Sequence, residues 1–293
     1  MKKEISLLFP TYNCCCKQLV EALQQQCETI KLLQYEIIVA DDASPEKSFI
    51  QKNNSITQLK NVHYIVLENN IGRAAIRNFL AQQACYNWLL FIDGDMTLHN
   101  PSFIATYLQN DNLVIYGGYD ILGSDKNNLR YMIEKKHPYN HIAQQRQIKP
   151  FHNFHTCNFL VSKQIMLNNP FNESIKQYGY EDVLFGKQLK NNHLSITHID
   201  NTITFESFES NQQYVEKTEQ SLQTLFKFQE KISGFSTILD FIEKKPIATS
   251  LLKYTYPIIG KFIRNKLIYN KPRIFLFNIY KLIYFLHLKH QQV

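Results

Sequence analysis

Two carboxylates separated by one glycine, Asp93-Gly94-Asp95, form the tract best suited to chemistry. They follow the strongly apolar run 88–92, which has the character of a buried strand. On the short turn after such a strand, two carboxylates can hold a divalent cation, and hard oxygen ligands favour Mg²⁺ or Mn²⁺. An Asp-x-Asp pattern by itself occurs by chance in many proteins, so the metal prediction rests on its position after the strand.

A second tract, residues 70–78, combines a helix entry with positive charge. Gly72 stands where the helix should begin, and Arg73 and Arg77, four residues apart, share one helical face. Helix-entry N–H groups and arginine forks both bind phosphate oxygens, so the tract predicts a diphosphate site. The alternative is the solvated start of a surface helix.

A third tract, Gly179-Tyr180-Glu181-Asp182, opens a helical pattern with two acids in its first turn. Carboxylates there are favoured by the helix dipole, which is the structural explanation. The functional explanation is a general base that removes a proton from an attacking hydroxyl. The aromatic-glycine entry makes the tract more specific than an ordinary helix cap.

The elements that must position these tracts are short β-rich runs at 5–9, 36–40, 62–67 and 88–92, alternating with helical patterns at 17–33 and 73–84. This alternation predicts an α/β layer with a mainly parallel sheet, whose ligands lie beyond the carboxyl ends of the strands. Glycine-rich nucleotide signatures are missing from the sequence. A nucleotide would therefore be held by Tyr12, stacking on its base, and by Asp42, accepting a hydrogen bond.

Together these motifs resemble the family 2 glycosyltransferases with the GT-A fold, especially the short bacterial enzymes that build surface polysaccharides. The resemblance covers about residues 4–230, and its motifs stand in the family's order: Phe9-Pro10-Thr11-Tyr12-Asn13, Asp41-Asp42-Ala43-Ser44, Asn70-Ile71-Gly72 with Ile76-Arg77-Asn78, Asp93-Gly94-Asp95 and Gly179-Tyr180-Glu181-Asp182. It implies a GT-A catalytic domain over 1–232 and a basic, aromatic helical extension over 233–293. The implied reaction transfers a sugar from a UDP-sugar to an acceptor hydroxyl with inversion.

The resemblance also assigns roles. Asp182 would be the general base, and Glu181 would orient the acceptor or support that base. Asp95, with Asp93, would hold Mn²⁺ or Mg²⁺ against the two phosphates of the donor. The nucleotide-sugar site would comprise Pro10, Thr11, Tyr12, Asn13, Asp42, Gly72, Arg73, Arg77, Asp93 and Gly94.

One departure from the family concerns its third metal contact, often a histidine, because the corresponding place here is Phe205. Phenylalanine cannot ligate. His198 or Glu206 could replace it, Asp95 could share the metal with the diphosphate and water, or metal dependence could be lost. The pair His152 and His155 has metal-like spacing, but flanking phenylalanines favour packing or an acceptor-side loop.

The 293-residue chain has a formal charge of +7 that is concentrated in residues 244–293, which hold ten Lys/Arg and no acid. Aromatic residues interleave with these cations, which suits the surface of an anionic membrane and would make the acceptor lipid-linked. The equal alternative is a helical lid or an oligomer contact. Nucleic acid is disfavoured, because the main body is slightly acidic and carries no binding module.

Six cysteines, three of them consecutive at 14–16, lack the spacing of disulfide or zinc frameworks. Without a secretory leader or an apolar stretch long enough to span a bilayer, the sequence predicts a reduced, cytoplasmic setting, peripheral to the inner membrane face, with the cysteines buried as small hydrophobes.

Two rival functions remain at this stage. The residue at Phe205 keeps open a nucleotide- or glycan-binding protein that retains the fold without turnover. A nucleotidyltransferase is disfavoured, because its first strand should lead into a glycine-rich basic loop, and this chain has Pro10-Thr11-Tyr12-Asn13-Cys14 there.

Overall fold

A computed structural model describes residues 1–123, 125–136 and 141–291. They form two compact units. The first unit comprises residues 1–122, 139–176 and 185–206, and the second unit comprises residues 123–138, 177–184 and 207–293. Both are discontinuous in sequence, whereas the expected domains, 1–232 and 233–293, are continuous. That division stays a prediction, and the last two residues of the expected extension lie outside the described part.

The strands all belong to the first unit. In chain order they are β1 (Glu4–Thr11), β2 (Gln34–Asp41), β3 (Val62–Val66), β4 (Trp88–Ile92), β5 (Val114–Tyr116), β6 (Tyr119–Ile121), β7 (Asn158–Ser162), β8 (Thr197–His198) and β9 (Ile203–Phe205). Over the described residues, the main sheet has the order β3-β2-β1-β4-β7-β5-β8, and β6 pairs with β9 in a second, two-stranded sheet.

The helices, numbered over the same described ranges, are α1 (Lys17–Thr29), α2 (Lys47–Asn54), α3 (Arg73–Gln83), α4 (Phe103–Gln109), α5 (Leu129–Lys136), α6 (Ala143–Arg146), α7 (Lys163–Asn168), α8 (Glu181–Asn191), α9 (Asn211–Lys227), α10 (Gln229–Ile232), α11 (Thr237–Lys244), α12 (Pro246–Leu252), α13 (Lys261–Tyr269) and α14 (Ile274–Gln291). A 3₁₀ turn at Ser55–Gln58 and a π-turn at Tyr256–Gly260 join neighbouring elements.

Strands β1 to β4 run parallel, and β7 reverses direction against β4 and β5. The four parallel strands read as continuous apolar runs because helices cover both faces of such a sheet. Their register aligns Thr11 with Asp41 and Asp41 with Val66. The polar residues after β1 and β2 therefore start from one edge, as the sequence predicted.

The core of the first unit is rich in phenylalanine. Phe91 on β4 stacks on Phe159 of β7 with ring centroids 4.9 Å apart, and Phe171 stacks on Phe185 at 4.3 Å. All four are buried. Burying such a side chain contributes about 2–3 kcal/mol, so this cluster fixes β4, and with it the turn that follows, against the rest of the sheet.

The second unit has its own core, in which Leu129 of α5 packs with Val215 of α9 and with residues of α13 and α14. A capping box starts α9: the Ser210 hydroxyl accepts from the N–H of Gln213, whose side chain reaches back to the N–H of Ser210. None of the helices in the described ranges is both long and apolar enough to cross a membrane.

Candidate active site

The ends of β1 and β2 are tied together by a chain of hydrogen bonds. The N–H of Asn13 donates to Ser44 Oγ at 2.8 Å, and that hydroxyl donates to Asp41 Oδ2 at 2.8 Å. The N–H of Ser44 donates to the other oxygen, Asp41 Oδ1, at 2.7 Å. Asp41 is fully buried, so its carboxylate braces the strand end. No individual role was predicted for Asp41 or Ser44, although aspartate and serine after a strand are typical turn residues.

Two residues at these strand ends hold a strained backbone. Asn13 has φ = 48° and Ala43 has φ = 55°, both in the left-handed region that non-glycine residues rarely occupy. Such strain persists only where the surroundings hold it, and it is concentrated at functional sites. Beside them Thr11 is buried, while the neighbouring ring of Tyr12 is 50% exposed at the edge of the sheet.

Asp42 holds the loop before α3. Its carboxylate oxygens accept from the N–H groups of Ile71 and Gly72 at 2.7 and 2.9 Å, and Asn70 Nδ2 donates to its carbonyl at 2.9 Å. Burial raises the pKa of Asp42, and the two N–H groups oppose that shift. Gly72 has φ = 91°, a conformation that glycine adopts without strain, and it starts α3 as expected.

Arg73 and Arg77 lie on one face of α3, as predicted, and both contact Asp93. Arg77 Nη2 is 2.6 Å from Asp93 Oδ1, and Arg73 Nη2 is 3.6 Å from Asp93 Oδ2. Arg77 is only 1% exposed, whereas Arg73 is 46% exposed. The arginines predicted to bind phosphate thus partly neutralise the charge of Asp93, which was predicted to bind metal. Asp93 is already paired with both arginines.

The turn after β4 explains why a glycine separates the two carboxylates. A Cβ atom on Gly94 would lie 2.7 Å from Cγ2 of the buried Thr11 and 3.3 Å from Cys14 Sγ. Only glycine therefore lets the turn approach the end of β1 this closely. Asp95, the next residue, is exposed.

Phe205 ends β9 and is buried at 5% exposure, so it serves as a packing residue. An antiparallel bridge joins Thr97 to Thr204 through two N–H···O bonds of 2.8 Å. Glu206 directly follows Phe205 at the end of β9. The Glu206 carboxylate contacts His99 Nε2 at 2.7 Å, so it already has a partner.

His198 does not have a nitrogen to offer a metal. Its Nδ1 accepts from Arg146 Nε at 3.3 Å, and its Nε2 lies 3.0 Å from the carbonyl of Pro150. Burial, with the neighbouring Arg146 cation, lowers the pKa of His198 to about 4. This geometry counts against His198 as the replacement ligand.

The other histidine candidates lie on a turn between α6 and β7. His152 and His155 are exposed there, so their three-residue spacing does not place them on a helical face. His155 makes edge contacts with the rings of Tyr116 and Tyr119. No group of three or more His, Cys, Asp or Glu side chains in residues 1–123, 125–136 and 141–291 is arranged to hold a metal ion.

The second unit contains the predicted base. Gly179 and Tyr180 both have positive φ, 97° and 68°, and they lead directly into Glu181 and Asp182 at the start of α8. A Cβ atom on Gly179 would lie 2.6 Å from Ser221 Oγ, so the turn packs tightly on α9. Glu181 is buried at 5% exposure and Asp182 is partly exposed.

The consecutive cysteines do not share one environment. Cys16 is buried, Cys14 is partly buried and Cys15 is exposed, and all six cysteines are free thiols. Burial raises the pKa of Cys14 to about 12, with the carboxylates of Asp95 and Asp93 adding to the shift. The expectation of buried small hydrophobes is thus correct for Cys16 and Cys27 and wrong for the exposed Cys15 and Cys85. Cys15 lies in the loop between β1 and α1.

Comparison with known proteins identifies the family. The sequence profile of Glycosyl transferase family 2 matches residues 6–167, more than half of the chain. The chain belongs to this family. An uncharacterized glycosyltransferase of Haemophilus influenzae is 29% identical to this family 2 chain over 152 residues, and chondroitin synthase of Escherichia coli is 27% identical over 146. These matches cover 50% and 48% of the chain but only 59% and 21% of the two relatives.

Solved structures of glycosyltransferases share the fold of this family 2 member. TarS residues 1–349 of S. aureus, in complex with UDP-GlcNAc, aligns over all of this chain and 92% of its own, with a TM-score of 0.53 and 16% identity. The mannosyltransferase PcManGT of Pyrobaculum calidifontis, in complex with GDP-Man and Mn²⁺, aligns over all of this chain and 87% of its own, with a TM-score of 0.58 and 10% identity. The predicted GT-A fold is confirmed.

Proposed function

We propose that this family 2 member transfers a sugar from a UDP-sugar to a hydroxyl of a glycan or lipid-linked saccharide in surface polysaccharide biosynthesis, with inversion at the anomeric carbon. The observation that carries the proposal is the acidic strand edge, where Arg73 and Arg77 hold Asp93 beside the exposed carboxylate of Asp95. Structurally similar proteins in complex with UDP-GlcNAc and GDP-Man support a nucleotide sugar as the donor.

The nucleoside would lie against the ends of β1 and β2, along Pro10, Thr11 and Asn13. The half-exposed ring of Tyr12 has the face that stacking on a base requires. Each carboxylate oxygen of Asp42 accepts one backbone N–H, and an ionised carboxylate oxygen has a second lone pair. Asp42 could therefore accept from a base imide or a ribose hydroxyl without releasing the loop before α3.

A divalent cation, Mn²⁺ or Mg²⁺, fits this donor set if Asp95 is its main protein ligand. The oxygen chemistry of Asp95 suits both cations, and the remaining ligands would be donor phosphates and water. When bound, such a cation stabilises the charge that grows on the departing diphosphate.

Asp182 would accept the proton of the acceptor hydroxyl as that oxygen attacks the anomeric carbon and the bond to the diphosphate breaks. Its place in the first turn of α8 favours the ionised form that a base needs. Its Oδ1 accepts from the N–H of Val183 at 2.8 Å, which orients the carboxylate. The neighbouring, buried Glu181 would support it.

The donor site is tested by thermal unfolding with UDP, GDP or CDP, each with Mn²⁺, Mg²⁺ or chelator. A ligand at about 100 times its Kd stabilises by roughly 2.7 kcal/mol, so we expect a UDP shift that needs metal. Asp95→Asn should abolish this metal-dependent UDP shift. Asp111→Asn, at another exposed carboxylate of the first unit, is the matched control and should retain it. Equal shifts with chelator and with metal would contradict the metal assignment.

The base is tested by Asp182→Asn. Transfer should fall about 10²–10⁴-fold while the UDP shift is unchanged, because only proton removal is lost. Asp240→Asn is the control, because Asp240 lies in the first turn of α11 and this variant also removes a carboxylate from a helix N-terminus. Equal loss of transfer in both variants would contradict a role as base.

A protein that binds nucleotide without turnover is the second candidate, and the observation in its favour is the buried Phe205. UDP binding combined with no transfer and no donor hydrolysis, over a panel of UDP-, GDP- and CDP-sugars, would favour it. Transfer of any sugar in that panel would exclude it.

We further propose that the second unit contacts an anionic membrane through α12, the π-turn and α13. Exposed apolar residues recur there at helical spacing: Ile247, Leu251, Tyr254, Ile258, Phe262 and Tyr269, each at least 56% exposed. Residues 244–293 contribute ten cations and no acid, so positive charge predominates in the segment that carries the stripe. Apolar burial combined with attraction to anionic headgroups is how interfacial helices bind.

Vesicle co-sedimentation tests this contact. Binding to vesicles with anionic lipid should exceed binding to neutral vesicles and fall with added salt. Ile258→Asp should weaken it, whereas Leu32→Asp, at the 92% exposed Leu32 of the first unit, should not. Equal binding to neutral vesicles, or equal loss in both variants, would contradict the proposal.

A further inference from the structure

A cavity of about 320 Å³ lies within the second unit, lined by segments that are far apart in sequence. They are the turn 178–180, the middle of α9, residues 235–238 and the middle of α14. Its size falls in the range of small-ligand sites. The proposed donor site does not use it, and of the family motifs only Gly179-Tyr180-Glu181-Asp182 contributes to its lining, through Tyr180.

The lining combines aromatic rings with hydroxyl groups. Tyr214 stacks on Phe277 with ring centroids 5.6 Å apart and an interplanar angle of 28°. Tyr180, Ser221 and Ser236 all line the cavity and carry hydroxyl groups. Ring faces pack against the C–H faces of sugars, and hydroxyl-bearing side chains bond sugar hydroxyls. This chemistry suits a saccharide.

The charge of the lining is positive. Lys217 and Lys281 both line the cavity, and no acidic side chain does. Lys217 forms an ion pair with Glu209, with Nζ 3.1 Å from Oε1. Lys281 lies over the ring of Phe277, 4.9 Å from its centroid, and makes no ion pair within the described parts of the chain. Burial lowers the pKa of Lys281, so a bound anion would relieve an uncompensated ammonium.

One lining residue of the cavity, Tyr180, is two residues before the predicted base in the same unit. Tyr180 is held in the left-handed region at φ = 68° and directly precedes Glu181 and Asp182. A molecule in the cavity would therefore lie beside the start of α8, where an acceptor hydroxyl must meet its base.

We propose that this cavity binds the acceptor, and that the acceptor is an acidic saccharide whose carboxylate or phosphate pairs with Lys281. The inference rests on the proposed function and deepens it, because it assigns the acceptor's chemical class. A neutral glycan would leave the ammonium of Lys281 without a partner.

Saturation-transfer NMR with small sugars tests the assignment. The probes are methyl glucuronide for the carboxylate, glucose 6-phosphate for the phosphate and methyl glucoside for the neutral case, with inorganic phosphate as competitor. One acidic probe should bind about tenfold or more tightly than the glucoside, as expected for one added charge-assisted hydrogen bond. The tighter acidic probe identifies which anion the acceptor carries.

Variants of α14 make the test specific. Lys281→Met should lower the affinity for the acidic probe to that for the glucoside. Lys281→Arg should retain the preference for the acidic probe. Lys289→Met, on the same helix and outside the cavity, should leave it unchanged. Equal binding of glucoside and acidic probes, a preference that survives Lys281→Met, or competition by inorganic phosphate as strong as that by glucose 6-phosphate would overturn the inference.

The thermal shift with UDP, measured on the same samples, separates the two proposals. A normal UDP shift without any preference for acidic sugars would reject the acceptor class alone. A missing UDP shift would reject the proposed function, and the acceptor role of the cavity with it.

Discussion

Replacing Arg77 by methionine removes a buried charge while keeping an unbranched side chain of similar length. The guanidinium is 2.6 Å from Asp93 Oδ1 and 1% exposed, so the variant leaves the Asp93 carboxylate without its nearest partner. Removing one member of a buried pair costs about 3–5 kcal/mol. We expect about 3 kcal/mol, because Asp93 is 19% exposed and keeps Arg73 at 3.6 Å.

The complementary variant, Asp93→Asn, should cost more, about 4 kcal/mol, because it strands the cation instead. In the described residues, Arg77 Nε has no hydrogen-bond partner, and Nη1 donates to the carbonyl of Arg73 at 3.0 Å. The double variant removes both charges, so its cost should fall short of the sum of the single costs by about 2–3 kcal/mol.

Urea unfolding measures these values, and the chain offers a local probe. Trp88 is its single tryptophan and belongs to β4, five residues before Asp93, so its fluorescence follows the first unit. Arg73→Met is the matched control, expected to cost less than about 1 kcal/mol because that arginine is 46% exposed. Equal costs for the two arginine variants, or additive single costs, would refute the reasoning.

Three further predictions concern the same unit. Gly94→Ala should cost about 1–3 kcal/mol in thermal unfolding, and adding Thr11→Ser should restore part of the loss, since it removes the methyl 2.7 Å from the new Cβ. Because burial lowers the pKa of His198 to about 4, its contribution is complete above about pH 6.5 and is lost as pH falls towards 4; His198→Gln should flatten this dependence in urea titrations. A thiol reagent at pH 8 should label the exposed Cys15 and Cys85 and reach the other four only after unfolding; Cys85 should react more slowly, because Glu36 raises its pKa. Unchanged stability in Gly94→Ala, an equal pH dependence in His198→Gln, or labelling of all six native thiols would contradict them.

The parallel strands were predictable to within about two residues at each end. Trp88–Ile92 agrees with the prediction at both ends, and Ile5–Phe9 extends to Glu4–Thr11. Central parallel strands are apolar on both faces, so the ends of the apolar run indicate the ends of the strand. The strands β5, β6, β8 and β9 have three residues or fewer, too few for a periodic pattern.

The side-chain contacts of the site were harder to predict from the sequence than the fold. Sequence spacing placed Arg73 and Arg77 on one helical face but could not reveal that Asp93 is their partner, because that contact depends on how α3 packs beside β4. The same limit applies to His198, whose two hydrogen bonds go to Arg146 and Pro150. Local patterns predict which groups are available, whereas tertiary packing decides which are already engaged.

The cavity of the second unit had no local signal at all. Tyr178 and Lys281 come from segments separated by α8 to α13, and neither stands in a recognisable motif. The cations and aromatic residues of 244–293 predict a membrane surface and not a cavity.

The discontinuity of the second unit has a consequence for synthesis. Leu129 emerges from the ribosome well before its core partners Ile263, Phe277 and Ile283. Strands β1 to β4, which pair through residues 4–92, can assemble long before that. The nascent chain therefore carries an unfinished apolar surface around Leu129 until α13 and α14 have been translated.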